Sequence, residues 1–472
     1  MSVNANPAFL SAVELSRAYR DGSLSPVEVA TAVFEQIERH DATLNAYCLL
    51  DRDRALAQAR ASERRYRDGN PLGSLDGVPV AIKDLFLTAG WPTLRGSTLI
   101  DPDQRWEVDA PPVAALRDAG AVFPGKTTTP ELGWKGLTDS PLTGITRNPW
   151  DPASTPGGSS GGSAVAVAMG MAPLALGTDG GGSIRIPASF TGISGFKPTY
   201  GRVPHWPVSP YGTLAHAGPM ARTVEDLALL LDAVARPDGR DWLALPPEPG
   251  VRYIEAVHEL RSPLRIAFSP ALGFAAVDPE VGESVGAAVR VFADMGAAVD
   301  ETDPPIEDPI EAFQVLWNAG AAQATQQYSP AERAKLDPGL QEIVEDGWRY
   351  SAVRYADANT YRGNFAVTMN RFFADYDLLI TPAMPIPAFE AGREVPGGWH
   401  AKRWTSWSPF SYPFNMTQQP AISIPCGFTA AGLPVGLQIV GRKYEDALVL
   451  AAAHAYQQAA PASLRWPHMT GE

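Results

Sequence analysis

A cluster of glycine and serine residues is the part of this sequence best suited to chemistry. It contains two loops, GGSSGGS at 157–163 and DGGGSIR at 179–185. Glycines around a serine allow positive φ angles and the close approach of other groups, which an exposed linker does not require. Because the apolar run PLALGT at 173–178 leads directly into the second loop, we interpret these loops as parts of a built site.

The second loop combines a nucleophile with a group of hydrogen-bond donors. The successive backbone N–H groups of Gly180, Gly181, Gly182 and Ser183 could converge on one point, as an oxyanion hole requires. A serine hydroxyl is a poor nucleophile without an adjacent base. Ser183 therefore needs a base from elsewhere in the chain.

Lys83 is a candidate for that base, because it ends the apolar run VPVAIK at 78–83. Burial at a strand end disfavours the charged form and lowers the pKa of a lysine. The residue types leave an alternative open, a structural ion pair between Lys83 and Asp84 or another carboxylate. The seven histidines show no pattern that pairs one of them with either serine loop.

A phosphate-loop pattern suggests a different chemistry. GAVFPGKT at 120–127 matches G-x-x-x-x-G-K-[ST] letter for letter. Such a loop must open a helix whose N-terminus holds the phosphates, and the residues at 127–130, TTTP, are poor material for a first helical turn. We therefore expect Lys126 to be structural.

Two serine motifs also compete with the interpretation above. GGSSG at 157–161 matches G-x-S-x-G, which would make Ser159 the nucleophile of an α/β-hydrolase with a later histidine. The late histidines do not fit this, since His454 lies in a helical pattern and His468 lies close to the C-terminus. SGFK at 194–197 matches S-x-x-K, but no S-D-N or K-T-G partner accompanies it.

The elements that must position these loops alternate between short β-rich runs and helical ones. Residues 8–66 have helical patterns throughout, and β-rich runs recur from residue 78 onward, separated by helical segments such as 223–235 and 279–296. This alternation predicts an α/β fold with a sheet covered by helices. We find no internal repeat, and one large domain is the better interpretation.

Composition excludes several classes of function. A net charge of −14 with a pI near 5.0 argues against binding nucleic acid, which needs concentrated Lys and Arg. Cys48 and Cys426 are too few for a disulfide framework and lack the spacing of a zinc site. No signal peptide or membrane span is visible, so we expect a cytoplasmic protein that binds neither nucleic acid nor membranes.

Three segments together resemble the amidase signature family. They are LDGVPVAIKD at 75–84, PGGSSGGS at 156–163 and GTDGGGSIRIPASFTGISGFKPTYGRV at 177–203, and the resemblance continues to LPVGLQIVG at 433–441. It implies a single domain over 1–472 with a mixed β-sheet covered by helices on both faces. Within it we expect a helical section at 1–66, a core with the catalytic residues at 75–203, and the remaining sheet, helices and variable pocket loops at 204–472.

The resemblance also assigns roles to residues at matching positions. It implies that Ser183 is the nucleophile, that Lys83 is the base, and that Ser159, in a cis peptide with the preceding glycine, bridges the two. Ser160, Asp179 and Arg185 match family positions as well, and we expect them to support the loops. The implied reaction is hydrolysis of small amides, and by extension esters or carbamates, through an acyl-enzyme, without a metal or cofactor.

Substrate choice depends on the segments that are hardest to predict. Aromatic candidates for the pocket walls are Trp134, Trp317, Trp407 and Phe414, with Trp348, Trp404 and Phe410 as further ones, although at least half of them should be ordinary core residues. Two functions remain open, an amidase acting alone on aryl or aliphatic amides and the glutaminase subunit of an aminoacyl-tRNA amidotransferase. The aromatic residues favour the first. A homodimer is our working expectation.

Overall fold

An eleven-stranded mixed sheet forms the centre of the protein. The computed structural model describes residues 6–467. The strands are β1 (Tyr47–Leu50), β2 (Val80–Lys83), β3 (Gly125–Thr127), β4 (Asp139–Ser140), β5 (Gly144–Ile145), β6 (Leu174–Asp179), β7 (Ser194–Lys197), β8 (His216–Ala221), β9 (Arg265–Phe268), β10 (Ala298–Glu301), β11 (Leu378–Pro382), β12 (Ala421–Phe428) and β13 (Pro434–Gly441). Their order in the main sheet is β1-β3-β2-β6-β8-β7-β12-β13-β11-β9-β10, and β4 and β5 form a separate hairpin.

Helices connect most of these strands. They are α1 (Ala12–Asp21), α2 (Pro26–Leu44), α3 (Arg52–Arg67), α4 (Pro111–Asp118), α5 (Gly161–Ala168), α6 (Arg185–Thr191), α7 (Val224–Val234), α8 (Tyr253–Ala256), α9 (Pro279–Asp294), α10 (Ile310–Ala324), α11 (Pro330–Arg333), α12 (Pro338–Arg349), α13 (Ala352–Phe372), α14 (Pro413–Met416) and α15 (Asp446–Ala459). Local signals mark several boundaries. Helix α2 begins with a capping box from Ser25 and has Pro26 in its first turn, where the missing N–H costs nothing.

Helices cover both faces of the sheet, as expected from the sequence. Along β2, Val80 and Ile82 face one hydrophobic cluster while Ala81 faces another, because successive side chains of a strand point to opposite faces. The first cluster includes side chains of α7, α9 and α15, and the second includes those of α2, α3 and α5. The predicted α/β class, with a mixed sheet between two helical layers, is therefore confirmed.

The N-terminal section is not entirely helical. Residues Tyr47–Leu50 form the edge strand β1, which pairs antiparallel with β3. Four residues are too few to show a period of their own between two long helices. Through this strand, the N-terminal section belongs to the same sheet as the strands of the predicted sections 75–203 and 204–472.

Strand register explains why Lys83 and the second serine loop meet. Strands β2 and β6 are parallel neighbours, with Ile82 opposite Leu176. The carboxyl ends of both strands therefore lie at the same edge of the sheet. Lys83 ends β2, and the loop that contains Ser183 begins directly after β6.

Across residues 6–467, no helix combines the length and apolar composition needed to cross a lipid bilayer.

Candidate active site

Lys83 lies fully buried at the end of β2, with three hydroxyl groups around its side-chain nitrogen. Its Nζ is 2.7 Å from Ser159 Oγ, 2.9 Å from Ser160 Oγ and 2.8 Å from Thr178 Oγ1. None of these partners carries a charge. The alternative of an ion pair with Asp84 does not apply, because Asp84 pairs with Lys126 at 2.8 Å.

The pKa of Lys83 is well below that of an ordinary lysine. Burial is the cause, and the negative charge of Asp179 opposes it only in part. This shift favours the uncharged amine, which can accept a proton.

The first serine loop places Ser159 beside Lys83. The Gly158–Ser159 peptide bond is cis, as the resemblance implies. Ser160 holds the two loops together, since its backbone N–H donates to the carbonyl of Ser183 at 3.1 Å and its hydroxyl donates to the carbonyl of Thr178 at 3.1 Å. These contacts support the role that we propose for Ser160, which is to hold the loops in place.

The second loop leaves the Ser183 hydroxyl available. Ser183 Oγ forms no hydrogen bond within residues 6–467, and the residue lines an open cavity while remaining almost completely buried. The backbone N–H groups of Gly180, Gly181 and Ser183 likewise have no acceptor in that part of the chain. The N–H of Gly182 differs, because it donates to Asp179 Oδ1 at 2.8 Å. Three of the four expected oxyanion donors are thus available.

A buried ion pair holds the end of this loop. Arg185 Nε and Nη2 donate to the two carboxylate oxygens of Asp179, each at 2.9 Å. Arg185 also donates to Gln438 at 2.8 Å and to Asn415 at 2.7 Å. Burial alone would raise the pKa of Asp179, but the charge and hydrogen bonds of Arg185 outweigh it and hold that pKa below its usual range.

The cavity in front of Ser183 has a volume of about 270 Å³. Ser159, Thr178 and Gly180 also line it. Most other lining residues are apolar or aromatic: Leu85, Phe86, Ile100, Leu132, Trp206, Pro207, Val208, Pro210, Tyr211, Ala215 and Trp317. The volume and the lining suit a small molecule with an apolar group.

The structure corrects most of the expected pocket aromatics. Trp317 lines the cavity, where its ring stacks on Tyr211 with centroids 3.9 Å apart. Trp134, Trp407 and Phe414 do not line it, because they are packed in the hydrophobic core. Phe414 belongs to a cluster that includes side chains of β9, β11, β12 and β13, and Trp407 stacks on Phe190.

The three further aromatic candidates do not line the cavity either. Trp404 and Phe410 are buried in the core, and Trp348 is exposed on α12. Aromatic side chains serve core and pocket equally well, so residue type could not distinguish the two.

Several residues of the site escaped the sequence argument. Thr178 contacts Lys83. Its position at the end of a strand, immediately before Asp179, could have identified it as a residue of the site. Arg95 and His205 line the cavity from loops far from either serine motif, and no pattern in the sequence links them to it. Burial lowers the pKa of His205, although Asp241 opposes this.

The competing motifs have structural roles. Gly125–Thr127 is strand β3, and Lys126 Nζ pairs with Asp84 and donates to the carbonyl of Phe86 at 3.1 Å. The structural role expected of Lys126 is confirmed. His454 lies in α15 as the pattern indicated, whereas His468 lies outside the described residues.

Comparison with known proteins identifies the family. A family model described as Amidase matches residues 28–450. An acylamidase from Rhodococcus erythropolis is 38% identical over 463 residues, which cover 97% of this chain and 96% of the relative. The chain belongs to the amidase signature family.

The similarity of this amidase extends to solved structures and to a second functional group. A bacterial aryl acylamidase of the amidase signature family superposes with a TM-score of 0.89 at 30% identity, covering 98% of this chain and 99% of the other. A glutamyl-tRNA(Gln) amidotransferase subunit from Chloroflexus aurantiacus is 34% identical over 479 residues, covering 95% and 96% of the two chains. This amidase is therefore an enzyme that hydrolyses amides.

Proposed function

We propose that this amidase cleaves small amides through an acyl-enzyme, with Ser183 as nucleophile, Ser159 as proton relay and Lys83 as base. The observation that carries the proposal is the surrounding of Lys83 Nζ by three hydroxyl groups with no carboxylate among them. A protonated lysine would carry an unpaired buried charge there, which is expensive. The neutral amine is the form that can act as a base.

The hydrogen-bond capacities of these groups set the direction of the relay. A neutral amine has two N–H donors and one lone pair. The Ser160 hydroxyl already donates to the Thr178 carbonyl, so it must accept from Lys83. With Thr178 Oγ1 accepting the second N–H, the lone pair faces the Ser159 hydroxyl. Ser159 can then give its proton to Lys83 while its oxygen accepts the proton of Ser183.

The steps of the reaction follow from this direction of proton transfer, from Ser183 through Ser159 to Lys83. The Ser183 oxygen attacks the carbonyl carbon, and its proton moves through Ser159 to Lys83. The free N–H groups of Gly180, Gly181 and Ser183 stabilise the oxyanion. The proton returns through Ser159 to the amide nitrogen as the carbon–nitrogen bond breaks. Water then attacks the acyl-enzyme with the same base, releasing the carboxylic acid and restoring Ser183.

The apolar lining supports aryl or aliphatic amides as substrates. Phe86, Trp206, Tyr211 and Trp317 present aromatic surface in the cavity, which suits a ring or an alkyl group next to the amide. The same acyl-enzyme chemistry serves esters and carbamates, whose leaving groups need less help from a proton.

A glutaminase function has less support from the cavity. Glutamine carries an ammonium group that needs a carboxylate partner in a buried site. Among the described residues that line the cavity, none is an aspartate or a glutamate. If the purified chain releases ammonia from glutamine and leaves anilides intact, the substrate proposal is wrong. Hydrolysis of anilides without glutaminase activity supports it.

Labelling with a serine-reactive fluorophosphonate tests the catalytic assignment. We expect label on the peptide that contains Ser183, and no label after Ser183→Ala. The variant Ser163→Ala is a matched control, because Ser163 is a buried serine of the first loop segment whose hydroxyl contacts Thr127 instead of the cavity. Label on Ser159 in place of Ser183 would overturn the assignment of the nucleophile.

We propose that the protein is cytoplasmic and forms a homodimer. Cys48 and Cys426 are both free thiols, which supports a cytoplasmic location where thiols stay reduced. Cell fractionation tests this, and light scattering on the purified protein tests the proposed homodimer.

A further inference from the structure

The catalytic cavity contains one permanent positive charge. Arg95 is the only arginine or lysine among the described residues that line it, and they include no carboxylate. A guanidinium group remains charged in proteins and presents five N–H donors. No other residue of the lining therefore balances the positive charge of Arg95.

The guanidinium group of Arg95 is not used by the fold. It forms no hydrogen bond and no ion pair within 4.0 Å with any residue in the range 6–467, in contrast to Arg185 and Arg362, whose guanidinium groups each have several partners. Burial lowers the pKa of Arg95, and Asp84 and Tyr328 oppose this. A half-buried guanidinium group without a partner in the protein has N–H donors that a bound ligand can use.

The backbone of Arg95 is held firmly, so its side chain has a defined starting direction. The residue has a φ of 53°, which is rare outside glycine. Its N–H donates to Asp84 Oδ2 at 2.8 Å, and its carbonyl accepts the N–H of Leu132 at 2.8 Å. Asp84 is in turn fixed by its ion pair with the buried Lys126. An unusual backbone conformation held by several contacts is typical of a functional position.

The carboxylate whose charge acts on the guanidinium group of Arg95 is already engaged. Asp84 uses its oxygens for Lys126 and for the backbone of Arg95 itself. Further polar residues that line the cavity are His205, Ser209, Tyr328, Gln323, Gln326 and Gln327. The three glutamines are exposed at the lining and can donate further hydrogen bonds to a bound anion.

We infer that Arg95 binds a carboxylate of the substrate, and that the enzyme prefers small amides bearing an aryl or alkyl group and a single negative charge. This deepens the proposed function and rests on it. Guanidinium and carboxylate groups form two parallel hydrogen bonds, which add orientation to the charge attraction. Zwitterionic amides are disfavoured, because nothing in the lining balances their ammonium group.

Matched pairs of anilides test the inference. One pair is 4-acetamidobenzoate and 4′-methylacetanilide, with the charge on the amine side of the bond. The other is succinanilate and pentananilide, with the charge on the acyl side. We expect the charged member of at least one pair to have a kcat/KM at least about tenfold higher, chiefly through KM, as one charge-assisted hydrogen-bonded contact worth about 1.5–3 kcal/mol allows.

Variants connect this preference to Arg95. Arg95→Gln should reduce the ratio of charged to neutral kcat/KM at least about tenfold, and Arg95→Lys should retain part of it, since a lysine keeps the charge without the paired geometry. Arg105→Gln is the matched control. Its side chain is 88% exposed and does not line the cavity, so the same loss of charge should leave the ratio unchanged.

Binding to the inactive Ser183→Ala enzyme gives a readout that does not depend on turnover. Calorimetry should show tighter binding of the charged member, and this advantage should disappear in the double variant with Arg95→Gln. If hydrolysis occurs without a preference in either pair, or the ratio is the same with Arg95→Gln, the inference is overturned while the proposed function stands. If neither member is hydrolysed in a Ser183-dependent manner, the proposed function itself fails.

Discussion

Lys83 Nζ lies 2.7 Å from Ser159 Oγ although the two residues are 76 positions apart in the chain. The parallel pairing of β2 with β6 brings the lysine to the edge of the sheet where the serine loops meet. The contact joins a buried amine to a hydroxyl, and no carboxylate is among the hydrogen-bond partners of that amine. In the proposed reaction this amine must accept a proton in every turnover.

Activity should depend on pH through Lys83. Its pKa is lowered by burial from the ordinary value of 10.5, and only the neutral amine can act as a base. We therefore expect kcat/KM to fall as pH drops through the lowered pKa and to reach its plateau well below pH 10.5. A profile that still rises as the pH approaches 10.5 would show that Lys83 is protonated in the resting enzyme. Lys83→Met should reduce kcat by about 10²-fold to 10⁴-fold, the usual contribution of a general base.

Removing Arg185 should destabilise the protein strongly. Arg185→Met leaves the buried carboxylate of Asp179 without its cation, which typically costs about 3–5 kcal/mol. Urea unfolding at neutral pH measures this, with Arg252→Met as a control because the side chain of Arg252 is 61% exposed. An equal effect of both substitutions would contradict the importance of the ion pair.

The same variant has a pH signature. Arg185 holds the pKa of Asp179 below its ordinary value of 3.8, so this stabilisation is present above that value and is lost as the pH falls below it. The difference in unfolding free energy between wild type and Arg185→Met should therefore shrink in acid. If this difference in unfolding free energy does not change with pH, Arg185 does not control the pKa of Asp179.

A methyl group at Gly181 should impair the oxyanion site. A Cβ there would lie 2.8 Å from Phe313 Cζ and 2.8 Å from Trp404 Cη2, so the loop must shift and its N–H donors lose their positions. We expect Gly181→Ala to reduce kcat by about 10²-fold to 10³-fold, the loss found when one such donor is removed.

Gly282→Ala serves as the control for that substitution. A Cβ at Gly282, in α9, would have nothing within 4 Å, and alanine favours a helix by up to about 1 kcal/mol over glycine. Activity should be unchanged and the melting temperature equal or higher. Both variants are compared by steady-state kinetics. Full activity of Gly181→Ala would show that the reaction does not require the close packing of this loop.

Two tryptophan substitutions should separate pocket from core. Trp317→Ala removes a wall of the cavity, and we expect kcat/KM for anilides to fall about tenfold or more through KM, because burying one large apolar side chain contributes about 1.5–3 kcal/mol. Trp407→Ala should instead lower stability by about 3–5 kcal/mol with little change in KM of the folded enzyme. Reversed outcomes would mean that the substrate contacts Trp407.

The sequence by itself determined the α/β class, the positions of most central strands, and the loops that contain Ser159 and Ser183. These features depend on local periodicity and on glycine-rich spacing, which are visible along the chain. Resemblance to the amidase signature family then supplied the roles of Lys83 and Ser159, for which residue type had left alternatives open.

Only the tertiary structure decided which side chains surround the site. Thr178 contacts Lys83, and the N–H of Gly182 donates to Asp179. Arg95 lines the cavity and has a positive φ angle, which no local sequence pattern predicts. The tertiary structure also places Trp134, Trp407 and Phe414 in the core. The physical reason is that residue type does not reveal whether an aromatic ring or a guanidinium group lies in the core or in a cavity. Its environment depends on long-range packing between segments that are distant in the chain.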